Sequence, residues 1–255
     1  MGRCFDIRQE KILECLQNEP ELRIQDLVTL TGASIATVRR DLLEMEKKKL
    51  IVRTFGGVRA VNQKSLVDRT FEQRAASRCP EKMAIAAAAA ELVSPGMTIA
   101  IDSGTTCMYF ASALKNKAPL RIITSALAVI ETLGGIPGIE INLVGGRFRL
   151  ENLDFYGAVS INNFKQFHAD IAFVGCDALL PQLGAFSHDQ ESAAISQALC
   201  DCASELVLLC DSNKVGQNGA FRLFAPENIS RVITDSKDPA LNSSGYHLIT
   251  VDPGQ

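Results

Sequence analysis

The sequence predicts an α/β chain of two unequal parts: a small N-terminal helix-turn-helix closed by a β-hairpin, then a larger domain on a parallel sheet. Three observations predict it. Leu27–Ala33 followed by Ser34–Leu42 reads as a short helix, a glycine turn and a second helix with an Arg-bearing face. Two β-like runs flank Gly56-Gly57 directly behind that helix. From Glu81 on, apolar β-rich runs alternate with helical stretches, the pattern of a sheet covered on both faces.

Composition fits this plan. The chain has 255 residues, 47% hydrophobic and 22% charged, enough for a large core and one small domain. The net charge of -3 hides an asymmetry. Between Ser34 and Ala60 seven Lys or Arg stand against three acids, so that segment carries +4 and the remainder -7. Phosphate affinity follows local charge, so a nucleic-acid surface is expected there. No apolar run follows Met1–Asp6, so no secretory leader is expected. Ala86–Ala90 is apolar but short, with Lys82 and Glu91 close by, so no membrane span is expected and the cytoplasm is the expected location. The eight cysteines are scattered, and only Cys200 and Cys202 lie close together. Without a CxxC pair or a nearby His they suggest buried thiols and no metal site.

Within the first part, residues 1–60, apolar groups at Ile7, Ile12, Cys15 and Leu16 predict a helix over about Asp6–Gln17, stopped before Pro20. A second runs from about Ile24 to Thr31, and Gly32 suits the left-handed residue that ends it. Ser34 is a good N-cap for the third helix, about Ile35–Lys49. There Ile35, Val38, Leu42 and Met45 line the side expected to be buried. Thr37, Arg40 and Glu44 lie opposite, with Arg39 at the border. The open side suits a DNA major groove, with Thr37 and Arg40 at base edges and Arg39 on base or phosphate. A hairpin after such a helix is a wing. Arg53 and Arg59 on its arms, with Ser34, would hold phosphates.

Residues 61–80 are polar and suit a linker, in which Phe71 and Arg74 fit a short helix against one of the domains. The second part, residues 81–255, places strands at Thr98–Asp102, Leu120–Thr124, Glu140–Val144, Asp170–Cys176, Glu205–Asp211, Arg231–Thr234 and His247–Val251. Helices are expected at Thr106–Leu114, Ala126–Leu133, Ala158–Phe164 and Gln190–Cys202. In such a Rossmann-like sheet, ligands bind where strands lead into helices. Asp102-Ser103-Gly104-Thr105-Thr106 is a hydroxyl-rich turn onto a helix N-terminus, suited to an anion. Thr124-Ser125, Gly145-Gly146-Arg147-Phe148-Arg149, Gly175-Cys176-Asp177 and Asp211-Ser212-Asn213-Lys214 end the following strands. Cations and N–H groups suit phosphate, and carboxylates suit sugar hydroxyls. Arg149 and Lys214 are the cations expected to meet the ligand, whereas Arg147 suits the solvated surface. His168, His188 and His247 lack ligand spacing.

Three motifs, in this order, resemble one known family: Thr37-Val38-Arg39-Arg40-Asp41-Leu42 with Arg53 and Gly56-Gly57; Asp102-Ser103-Gly104-Thr105-Thr106; and Asp211-Ser212-Asn213-Lys214. Over nearly its whole length the chain resembles the DeoR family of bacterial transcription regulators. The resemblance implies a winged helix-turn-helix and an effector domain related in fold to ribose-5-phosphate isomerase. It implies a homodimeric or higher homo-oligomeric repressor of a sugar catabolism or transport operon, bound to double-stranded operator DNA and released by a phosphorylated sugar. No further cofactor is implied. The positions it points to for the inducer are Ser103, Gly104, Thr105, Thr106, Thr124, Ser125, Gly146, Asp177 and Lys214. Two departures stand out. The family often has Asp-Gly-Ile or Ala-Gly-Ile where this chain has Asp177-Ala178-Leu179. It often has Val-Lys-Arg where this chain has Ala194-Ile195-Ser196, which removes two cations.

Two other functions compete. An isomerase-like enzyme would need a general base, for which Asp177 or Asp211 could serve, with Lys214 stabilising the enediolate. A redox regulator would use Cys107, Cys176 or Cys210, which lie at the ligand loops. The reading preferred from sequence is a binding site without catalytic residues.

Overall fold

The structure is a computed structural model that describes residues 8–9, 11–12, 15–16, 21–47, 50–54, 57–60 and 71–254. The chain divides into two compact units, residues 1–66 and 67–255.

In the first unit residues 8–9, 11–12 and 15–16 are helical, and the rest of the helix expected over Asp6–Gln17 lies outside the described residues. A strand β1 (Glu21–Arg23), helices α1 (Ile24–Thr31) and α2 (Ile35–Lys47), and strands β2 (Ile51–Thr54) and β3 (Gly57–Ala60) follow. Gly32 has the expected left-handed conformation, at φ 64°. The β2–β3 hairpin is antiparallel, and β1 adds a third strand against β3. Sequence reasoning missed β1 because three residues show no alternation. Its cause is tertiary: Leu22 pairs with Val58, and both are buried with Ile12, Leu27, Val38, Leu42, Met45 and Ile51.

Helix α2 departs from expectation on its inner side. Ile35 is 43% exposed, and the buried residues are Val38, Asp41, Leu42 and Met45. Asp41 reaches the interior because Arg8 Nε donates to it at 2.7 Å and Arg8 Nη2 at 3.3 Å. This ion pair ties the first helix to α2.

The second unit begins with α3 (Phe71–Ala76) and α4 (Cys79–Ala90), so the segment expected as linker over 61–80 is helical from Phe71. Phe71 is buried, and Arg74 donates to Glu151 O and Asn152 Oδ1. The main sheet holds seven strands: β4 (Thr98–Ile101), β5 (Leu120–Thr124), β6 (Ile139–Leu143), β9 (Ala169–Gly175), β12 (Ala203–Leu209), β14 (Arg231–Thr234) and β15 (His247–Thr250). Their order is β15-β14-β12-β9-β4-β5-β6, and every pair is parallel.

Alternation splits each central strand between two cores. Ile99, Ile101, Ile171, Phe173, Val207 and Leu209 face one side, with α4, α5 (Thr105–Ala113) and α6 (Leu127–Leu133). Ala100, Ala172, Val174, Leu206 and Leu208 face the other, with α7 (Ala158–Phe164) and α8 (Gln190–Asp201). That is why these strands read as near-continuous apolar runs. Phe110 of α5 stacks on Phe173 of β9 with ring centroids 4.1 Å apart.

Two small sheets escaped the sequence. Strands β7 (Arg147–Arg149) and β8 (Asp154–Tyr156) form a hairpin. Strands β10 (Ala178–Leu180), β11 (Gly184–Ser187) and β13 (Phe221–Phe224) form an antiparallel sheet over the second core. Among the described residues no helix is long and apolar enough to cross a membrane.

The chain starts the sheet at β4, runs outward through β5 and β6, and returns to the other side of β4 as β9. The strand order therefore reverses between β4 and β9. The crevice outside their carboxyl ends is where an open α/β sheet binds ligand.

Candidate functional site

On the DNA-binding unit, Arg39, Arg40 and Arg53 are exposed. Ser34 acts as the N-cap of α2: its Oγ accepts from Thr37 N at 3.2 Å and lies 2.9 Å from Thr37 Oγ1. The two hydroxyls expected on DNA therefore engage each other first, and fix how α2 presents Arg40. Arg53 pairs in register with Val58. Arg59 pairs through its backbone with Val52 and Glu21, and its side chain lies outside the described residues.

In the second unit the strand-end loops converge on one sheet edge, because Ile101 is in register with both Thr124 and Phe173, and Leu209 with Gly175. The turn after β4 is built around Gly104, the N-cap of α5, at φ 107° and ψ 163°, where an L side chain is strained. No side chain caps α5. Thr105 and Thr106 sit in this first turn, both buried, and Thr106 Oγ1 has no hydrogen-bond partner. Ser125, at the end of β5, is fully buried with its Oγ likewise unpartnered. Buried hydroxyls without partners are costly, and these two lie in adjacent strand-end loops.

Other expected positions are structural. Thr124 Oγ1 donates to Ile101 O at 2.7 Å and accepts from Ala126 N, so it splices β5 to β4. Gly145 O accepts from Ser160 Oγ. A Cβ on Gly146 would lie 2.0 Å from Ser160 Oγ and 2.7 Å from Tyr156 O, so this glycine exists for close packing of β7–β8 and α7. Arg149 is committed to two carboxylates, Asp154 at 2.8 Å and Asp189 at 2.7 Å. Its charge is neutralised in the protein, against the expectation of a cation left for phosphate. Arg147 is exposed, over the Tyr156 ring.

The carboxylates differ in kind. Asp102 is buried and accepts from Ser103 N and Ser196 Oγ, both at 2.8 Å. Burial pushes its pKa up to about 7, against the pull of those two hydrogen bonds. Asp177 accepts from Ser187 Oγ and His188 N. Asp211 is buried and lies 3.8 Å from Lys214 Nζ. Burial opposes the Lys214 charge, but Asp211 and its neighbours outweigh it and raise the pKa above the ordinary lysine value. Lys214 is thus a charged ammonium beside Asp211.

Sequence reasoning missed four residues at this edge. Ser196, at one of the positions that depart from the family pattern, supplies the hydroxyl on Asp102. Arg74, Arg78 and Lys82 come from the supposed linker and α4. Their spacing of four was no guide to this, because α3 ends at Ala76 and Arg78 is left-handed before α4 begins. Arg78 bonds Ser212 Oγ at 2.7 Å and Asp235 Oδ2 at 2.9 Å. The thiols read as inert: burial pushes Cys107 up, and a hydrogen bond with Cys176 together with burial does the same for Cys210. Among the described residues no group of three His, Cys, Asp or Glu could hold a metal ion.

Comparison with known proteins extends this reading. The DeoR-like helix-turn-helix domain matches residues 8–64, and the DeoR C terminal sensor domain matches residues 77–236. The chain is 31% identical over 232 residues to the lactose phosphotransferase system repressor of Lactococcus lactis subsp. lactis, covering 90% of this chain and 91% of the relative. It is 29% identical over 232 residues to the glycerol-3-phosphate regulon repressor of Escherichia coli (strain K12), covering 91% of each. A solved ribose 5-phosphate isomerase A from Methanocaldococcus jannaschii aligns over 52% of this chain and 53% of its own, at 19% identity and TM-score 0.40.

Proposed function

The chain belongs to the DeoR family of transcription regulators, and on that premise we propose that it represses a sugar catabolism or transport operon and is released by a phosphorylated sugar. The observation that carries the effector class is the pair of orphaned buried hydroxyls, Thr106 and Ser125, beside the uncapped start of α5 and the charged Lys214. N–H groups, hydroxyls and an ammonium are phosphate donors, and Asp177 at the neighbouring strand end suits a sugar hydroxyl. Relatives named for a phosphorylated polyol and for a sugar phosphotransferase system support the same class.

Arg40 reads base edges, while Arg39 and Arg53 hold phosphates and Ser34 with Thr37 sets the helix start. A homodimer or higher homo-oligomer places two such helices about 34–36 Å apart, one turn of DNA, or a multiple of that. The inducer must prefer the form that does not hold operator, or it induces nothing. A thermal-shift panel of triose, pentose and hexose phosphates on the full chain tests this. A true effector at 100 times its Kd adds about 2.7 kcal/mol to the folded state. A panel with no shift, or steady turnover of any member, contradicts the proposal. Turnover is not expected of a member of a family of transcription regulators.

A further inference from the structure

The segment that follows the DNA-binding unit in sequence brings three cations to the sheet edge. Lys82 is 5% exposed, and its ammonium donates only to main-chain carbonyls, Arg74 O and Ser77 O. Among the described residues it forms no ion pair. Burial pushes its pKa down to about 8, and the nearby Lys214 ammonium adds to the effect. Asp211 is the common counter-charge: Lys214 Nζ lies 3.8 Å from one of its oxygens and Arg78 Nε lies 3.6 Å from the other. Arg78 is also a non-glycine residue in the left-handed region, at φ 54° and ψ 43°. Its contacts with Ser212, Asp235 and Glu81 hold it there. Lys82 and Lys214 act on each other as like charges, and Asp211 is already shared with Arg78, so an anion beside the two lysines would offset both.

We propose that residues 74–82 form a wall of the anion site: Lys82 contacts the bound phosphate together with Lys214, and Arg78, through Asp211, couples occupancy to the chain leading into the DNA-binding unit. The proposal rests on the phosphosugar reading above. Once phosphate neutralises the two lysines, Asp211 is left to Arg78. The left-handed turn is then held more tightly, and residues 71–82 stiffen. Ligand binding therefore acts directly on the connection between sensor and DNA reader.

The test uses the full chain with inorganic phosphate as probe, reading affinity by calorimetry and amide exchange over residues 71–82. Phosphate binds the wild type and slows exchange in that segment. Thr106→Val weakens binding, which checks the anion site itself. Lys82→Gln weakens it about tenfold, as loss of a charge-assisted hydrogen bond does, and Lys82→Arg restores most of it. Arg78→Gln abolishes the slowing of exchange, and Arg78→Lys recovers part of it. If phosphate binds and Thr106→Val weakens it, yet Lys82→Gln changes nothing or exchange over 71–82 is indifferent to phosphate, the proposal is overturned while the site reading stands. If phosphate fails to bind, or binds regardless of Thr106, both fall. Should Lys82→Gln not fold, exchange in the wild-type chain decides.

Discussion

Arg40 and Asp102 are placed in opposite ways, one in solvent and one in the core. Arg40 is exposed on α2, held in place by a helix start that Ser34 and Thr37 fix between them. Replacing it with Ala should cost about 1–3 kcal/mol of operator affinity and relax sequence preference at one position, as measured by competition binding. A uniform loss across all sequences would make it a phosphate contact instead. Asp102 is a buried acid whose pKa is raised from 3.8 to about 7, chiefly by burial. Between those values the folded chain keeps a proton that the unfolded chain has released. Its contribution to stability is therefore full below about pH 4 and is lost as pH rises through 7. Asp102→Asn removes that slope, so the variant gains on the wild type as pH rises from 5 to 8 in urea titrations. A constant difference across that range would show that Asp102 is not raised. The sequence made Asp102 visible as a strand-end acid. It did not show the Ser196 hydroxyl that faces it 94 positions later.

At the scale of elements, those carried by strand–helix alternation or a turn signal were legible, and short strands with neither were not. The seven parallel strands each carry enough apolar run to be read, and α5, α7 and α8 have capped or glycine starts. Strands β1, β7, β8, β10 and β11 have three or four residues and owe their existence to tertiary pairing. The same limit hid how firmly α3 and α4 belong to the second unit: a polar, Pro-containing stretch looked like linker, although Phe71 and Lys82 are both buried. Two substitutions test the elements. Gly146→Ala drives a methyl into Ser160 Oγ and Tyr156 O, and should destabilise the second unit by about 1–3 kcal/mol in urea unfolding. An unchanged midpoint would mean the β7–β8 hairpin is free to shift. Asp41→Ala removes a buried carboxylate paired across the first helix and α2, and should cost the DNA-binding unit about 3 kcal/mol. A loss below about 0.5 kcal/mol, the range of exposed pairs, would place that ion pair in effectively open solvent.

At the scale of the molecule, a segment of charge +4 that includes α2 and the hairpin is followed by a sheet whose strand order reverses between β4 and β9. The charge asymmetry, the glycine turn before α2 and the strand–helix alternation made both units legible from sequence. What periodicity could not reveal was which donors at the sheet edge were already in use. Arg149 looked like a phosphate ligand and is neutralised by Asp154 and Asp189. Thr106 and Ser125, both expected at the ligand, are the hydroxyls at this edge left without partners. The central claim is that occupancy of this edge decides whether α2 holds DNA. Its most direct test is equilibrium binding of the full chain to a DNA site selected from random sequence, with and without a saturating sugar phosphate that stabilises the protein. The account predicts at least about a tenfold loss of affinity with the sugar phosphate, and no such loss in Thr106→Val at the same concentration. DNA affinity unchanged while the sugar phosphate is demonstrably bound would contradict it.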